Sequence, residues 1–196
     1  SKGVLVNSVI YNYGSSGVNG QTMGNDKKLV PAEMALVGNV CIRGNSSTQD
    51  YFLNSSDGAR AYLADNRLFS YTNKKVREVN YKNISKLNQP PLWPTGLTPK
   101  SALQSLYDVL GTVGARAKER DPIDSRIIDD LIKGTGRLID SQEQAGGYPD
   151  YPPVYRSLEV PEGKEARRAW LDERAAALDT DPVLDFSPLE KLVNNL

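Results

Sequence analysis

Histidine is absent from the 196 residues, and cysteine occurs once, at Cys41. Without histidine the chain by itself has no Ser-His-Asp or Cys-His machinery and no imidazole metal site. One cysteine forms no internal disulfide. Within Gly38-Asn39-Val40-Cys41-Ile42 that thiol reads as a small buried hydrophobe rather than a nucleophile. No run approaches the roughly 20 apolar residues of a membrane span, so no membrane partner is expected. No signal peptide opens the chain either. A charge of one sign is also missing, because 24 Lys and Arg balance 24 Asp and Glu. With no long-range basic field, no nucleic-acid partner is expected, although a local basic patch remains open.

What is present divides into unlike halves. Residues 1–90 are rich in Asn, Ser, Gly, Tyr and Val, with short apolar runs bounded by turn residues, the pattern of strands. Ser1-Lys2-Gly3-Val4-Leu5-Val6-Asn7 enters such sequence at once, as expected of a chain that starts within a fold. Three segments look related: Val6 to Asn12, Val37 to Ile42, and Ala64 to Ser70. Each sets an Asn between two strand-like pieces, at Asn7, Asn39 and Asn66. A repeat of this kind suggests stacked turns of chain. Asn tolerates left-handed backbone at a tight corner, and its amide both donates and accepts, so stacked amides satisfy the backbone at each bend. The simpler alternative is three unrelated hairpins. Two long polar stretches, Gly14 to Lys28 and Asn45 to Ala59, read as loops that wall a groove.

Residues 91–160 begin with an extended, proline-rich crossing around Leu92-Trp93-Pro94. Thr98-Pro99 reads as a helix N-cap and first turn, with Ala102, Leu103, Leu106, Val109 and Leu110 at helical spacing and Gly111 as the stop. A second helix is predicted from Pro122 to Lys133, with Ile127, Ile128, Leu131 and Ile132 on one face and Gly134 after it. These two helices are expected to pack on the strands rather than form a separate domain. Residues 161–196 read as a helical tail that is the most loosely held part. It comprises a mixed-charge helix over 161–179 and a short last helix from Pro188 to Leu196.

Several blocks resemble the C-terminal half of pectate lyases of the first polysaccharide lyase family, in the bacterial branch with a long C-terminal extension. Val6-Asn7-Ser8-Val9-Ile10-Tyr11-Asn12-Tyr13-Gly14 is similar to an Asn-Asn-Val-Ile-Tyr-Asn-Trp-Gly block, with Tyr13 in the Trp position. Val37 to Thr48 resembles the next block, with Arg43-Gly44 in place of Lys-Pro, and Ala61 to Asn66 resembles the step after it. Val113-Gly114-Ala115, Arg120 to Arg126, Gly134 to Gln142 and Gly146-Gly147-Tyr148-Pro149 continue in the same order.

The resemblance implies a mainly β fold: the C-terminal coils of a right-handed parallel β-helix over residues 1–90, with an α-helical C-terminal extension. It implies part of a secreted or periplasmic enzyme that cleaves acidic pectic polysaccharide, polygalacturonate, by calcium-assisted β-elimination. The alternative is a non-catalytic polysaccharide-binding or structural β-helix module. The family's catalytic arginine and calcium-binding aspartates precede the first block. They would fall before Ser1, so this chain is expected to hold neither catalytic residues nor metal ligands. Calcium and an N-terminal half of the enzyme are the implied cofactor and partner. Residues 160–196 carry no Asp-rich segment of the kind that follows in that branch, so the tail is not expected to be a calcium loop. Lys27, Lys28 and Arg43 are the candidate contacts to substrate carboxylates, Arg43 because guanidinium pairs a carboxylate with two parallel bonds. Asp121, Asp124, Arg120 and Arg126 read as capping and salt-bridging residues.

Overall fold

The structure is a computed structural model and describes residues 1–20, 30–55, 58–80, 84–148, 150, 158–177 and 184–194. Its described strands are β1 (Lys2–Val6), β2 (Val9–Tyr11), β3 (Val18–Asn19), β4 (Glu33–Val37), β5 (Val40–Arg43), β6 (Tyr51–Asn54), β7 (Ala59–Ala64), β8 (Arg67–Ser70), β9 (Arg77–Val79) and β10 (Ile84–Lys86). Each strand pairs with the third one along the chain. This gives three small sheets, β1-β4-β7-β10, β2-β5-β8 and β3-β6-β9, with every pairing parallel.

Side-chain alternation fixes the register. Leu5, Leu36 and Leu63 share one row, and Ile10, Cys41 and Leu68 another. These rows turn inward onto a core that includes Phe52, Leu53, Ala59, Ala61 and Val79. A second core lies on the other face of the β2-β5-β8 sheet, where Val40, Ile42 and Phe69 meet helices. Val40, Cys41 and Ile42 are each 0% exposed, so β5 is buried on both faces.

The helices are α1 (Ala102–Thr112), α2 (Pro122–Lys133), α3 (Lys164–Ala177) and α4 (Ser187–Asn194). The α2 helix forms where its punctuation places it. The Asp121 carboxylate accepts from the N–H groups of Ile123 and Asp124, Pro122 opens the helix, and Gly134 closes it with φ 70°. The second core takes Leu106 and Leu110 from α1, Ile128, Leu131 and Ile132 from α2, and Leu189 from α4. Helices α1, α2 and α4 therefore pack on the β2-β5-β8 sheet.

Several expectations are corrected. Among the described residues no right-handed β-helix is evident: strands of two to six residues make three small sheets, and helical residues outnumber strand residues. The physical reason is the 3.6-residue periodicity of the second half, which commits more of the chain to helix than a mainly β fold would hold. The two stretches read as loops contain β3 and β6, and Phe52 and Leu53 are 0% exposed. Flanking Asn and Ser residues hid those short apolar runs. Helix α1 starts after Ser101 rather than Thr98, because the Lys100 N–H donates to Asn7 Oδ1 at 3.0 Å and holds the preceding residues outside the helix. Ile127 is 53% exposed and leaves the packed face. The tail is not uniformly loose. No described side chain of α3 is buried, whereas α4 packs on α2 and β8 with Leu189 at 0% exposure.

Leu106→Ala should destabilise the protein by about 2–5 kcal/mol through the cavity it leaves, whereas Ile127→Ala should stay within about 0.5 kcal/mol of the parent. Urea midpoints measured at constant m compare the two. Equal losses would mean that α1 does not seal the second core.

Candidate functional site

The corner between the first and second sheets is built the same way at each step. Asn7, Gly38 and Asp65 follow register-paired strand ends, and all three have positive φ, at 54°, 67° and 46°. The Asn row is therefore displaced by one residue from the sequence expectation. Asn7 sits in the left-handed position with Gly38 and Asp65, while Ser8, Asn39 and Asn66 form the hydrogen-bonding row. The Ser8 N–H donates to Asn39 Oδ1 at 3.0 Å, and the Asn39 N–H donates to Asn66 Oδ1 at 3.2 Å. Asn39 Nδ2 donates to Leu5 O and to Asn66 Oδ1, and Asn66 Nδ2 donates to Leu36 O. Gly38 is required twice over, by its φ and because a Cβ would collide with Lys100 O.

A second amide row, which sequence reasoning missed, ends the third sheet. Asn19 pairs in register with Asn54, and Asn80 Nδ2 donates to Asn54 Oδ1 at 3.0 Å. The recurring dipeptides Val18-Asn19, Leu53-Asn54 and Val79-Asn80 were the signal that could have found it.

Among the sequence candidates, Arg43 is described and is 5% exposed. All three guanidinium nitrogens are engaged within the chain. Nε donates to Asp50 Oδ1 at 3.1 Å, Nη1 to Thr72 Oγ1 at 2.6 Å, and Nη2 to Ser47 O at 2.5 Å. Arg43 thus ties two loops together: the one after β5, through Ser47 and Asp50, and the one after β8, through Thr72. Lys27 and Lys28 lie outside the described residues.

Cys41 is buried, and that burial pushes its thiol from the ordinary 9.0 up to about 12. Neighbouring Tyr13 is 7% exposed, and its hydroxyl is raised as well, chiefly by burial. Among the described residues the Tyr13 Oη has no oxygen or nitrogen partner. Burial likewise lifts the Tyr11 and Tyr71 hydroxyls to about 12. Such groups are held neutral, the opposite of what an activated nucleophile needs.

The charged block at the start of α2 does structural work. Arg120 Nη2 donates to Leu110 O and Val113 O at the end of α1, Arg126 Nη1 donates to Ala145 O, and Asp121 caps α2. Among the described residues no group of three or more His, Cys, Asp or Glu could hold a metal ion. No family model matches the chain, and no curated protein or solved structure does either.

Asn39→Ala should cost on the order of 2–4 kcal/mol, because it strands the Ser8 N–H and the Leu5 carbonyl; chemical denaturation measures this. Alkaline pH should also destabilise. The unfolded chain releases these protons from pH 9.0 for Cys41 and from pH 10.0 for Tyr11 and Tyr71, while the folded chain retains them to about 12. Stability should be intact below pH 9 and fall as pH approaches 12. A urea midpoint unchanged across that window would contradict the burial of these groups.

Proposed function

We propose that the chain is the non-catalytic share of a secreted or periplasmic lyase that acts on polygalacturonate, with the base and the calcium ligands on a segment outside it. In the proposed reaction a base takes the C5 proton of the uronate. The C5–H electron pair becomes the C4=C5 double bond, and the C4–O4 bond breaks to release the leaving sugar. This chain's part is to hold the stacked sheets in register and to face the acidic polymer with cationic side chains.

One observation carries the reading: the separate blocks that resemble pectate lyases meet in space. Tyr11 Oη donates to Thr135 O, and Asn12 Nδ2 donates to Gly136 O at 3.4 Å, although 124 residues separate each pair. The Asn12 Oδ1 also accepts from the Ser46 N–H at 2.7 Å, joining the block from Val6 to the one from Val37. Likeness in three separated blocks is more specific when those blocks form one contact network than when they are scattered.

The isolated chain should release no unsaturated product from polygalacturonate in the presence of calcium, whereas the natural protein that contains it should do so. Ultraviolet absorbance of the 4,5-unsaturated uronate reads both reactions. Product from the pure chain would place the active site within it, and none from the natural protein would sink the lyase reading.

A further inference from the structure

We propose that the groove between β8, the turn that follows it and helix α4 is a subsite for an acidic sugar, recognised through the paired lysines Lys74 and Lys75. This rests on the polyuronate reading above and adds to it a place and a set of contacts. The groove has a volume of about 500 Å³ and runs from Leu68, Phe69 and Ser70 on β8 through Thr72 to Val76 to Leu192 of α4. That volume lies within the roughly 300–1,000 Å³ usual for small-molecule sites. Among the described residues β8 is the last strand of its sheet, and no described strand pairs with its outer backbone edge.

The turn is held by side-chain hydrogen bonds to its backbone. The Thr72 N–H donates to Ser70 Oγ at 3.1 Å, and the Lys74 N–H donates to Thr72 Oγ1 at 3.3 Å. The same Thr72 Oγ1 accepts from the buried Arg43, which Asp50 holds from behind. Arg43 is thus a positioning residue: it anchors the turn that carries the two lysines and is itself withdrawn from solvent.

Lys74 and Lys75 are exposed and make no ion pair among the described residues. Glu78, the carboxylate closest to them along the chain, is paired with Lys86, and Asp50 is paired with Arg43. Two adjacent uncompensated ammonium groups fit carboxylate groups of a ligand. The Asn73 amide suits hydroxyls, and Leu68, Val76 and Leu192 suit the apolar C–H face of a sugar ring. A phosphate polymer would call for a broader basic field than a chain of zero net charge provides.

Calorimetric titration of the whole chain with trigalacturonate and with its methyl ester tests the assignment. Trigalacturonate should bind, more weakly at high salt, and the ester should bind far less. Lys74→Ala combined with Lys75→Ala should weaken binding by about tenfold or more with an unchanged melting temperature. Lys164→Ala with Arg168→Ala, which removes equal charge from α3, should leave binding as it was. Unaltered affinity in the Lys74 and Lys75 variant, equal binding of the ester, or no binding of trigalacturonate at all would each overturn the subsite. The lyase assay on the natural protein remains a separate judge of the polyuronate reading.

Discussion

Strand β5 has no face toward solvent, and the rest of the molecule is arranged around that constraint. A strand of four residues supplies few backbone bonds of its own. It persists because Cys41 fills the inner core while Val40 and Ile42 fill the outer one. Its two neighbours in the sheet, β2 and β8, satisfy its backbone from both sides. The helices are then a necessity. Leaving Val40, Ile42 and Phe69 in water would forfeit roughly 1.5–3 kcal/mol for each large side chain, and α1, α2 and α4 together cover them.

The corners do for polar groups what β5 does for apolar ones. A two-residue bend inside a stack buries peptide groups that no strand can reach, and an unpaired buried group costs about 1–3 kcal/mol. The amides of Asn39 and Asn66 meet that demand while keeping successive turns in register. Arg43 applies the same logic with a charge. It is withdrawn from solvent only because Asp50, Ser47 and Thr72 take its donors.

The sequence made some of this legible and concealed the rest, for identifiable reasons. Helix α2 could be read to its ends, because Asp121, Pro122 and Gly134 act on their immediate neighbours. The start of α1 could not, because Asn7, far away in the chain, takes the N–H of Lys100. Asn39 and Asn66 announced the amide row. Asn7 misled by one position, because composition does not distinguish a residue chosen for its left-handed backbone from one chosen for its amide. Arg43 read as a surface cation because its partners come from two loops whose meeting depends on tertiary structure. The third sheet was concealed by strands too short to show alternation. The contact that joins Tyr11 and Asn12 to Thr135 and Gly136 was visible only in three dimensions.

The same long-distance contacts bear on how the chain reaches its shape. The Lys100 N–H closes on Asn7 across 93 residues, and Tyr11 and Asn12 close on the segment after α2 across 124. Bringing such remote pieces together loses chain entropy before it returns any contact, so topologies of this kind form slowly. Asp65, which accepts from the Ala102 N–H, belongs to the third turn of the stack. The docking place for α1 is therefore complete only after residues 1–70 have stacked. From then until the helices dock, the β2-β5-β8 sheet shows water the apolar face that they will cover. During synthesis this interval exposes the chain to association with other unfinished copies, and it ends only when α4 has followed α1 and α2 onto the sheet.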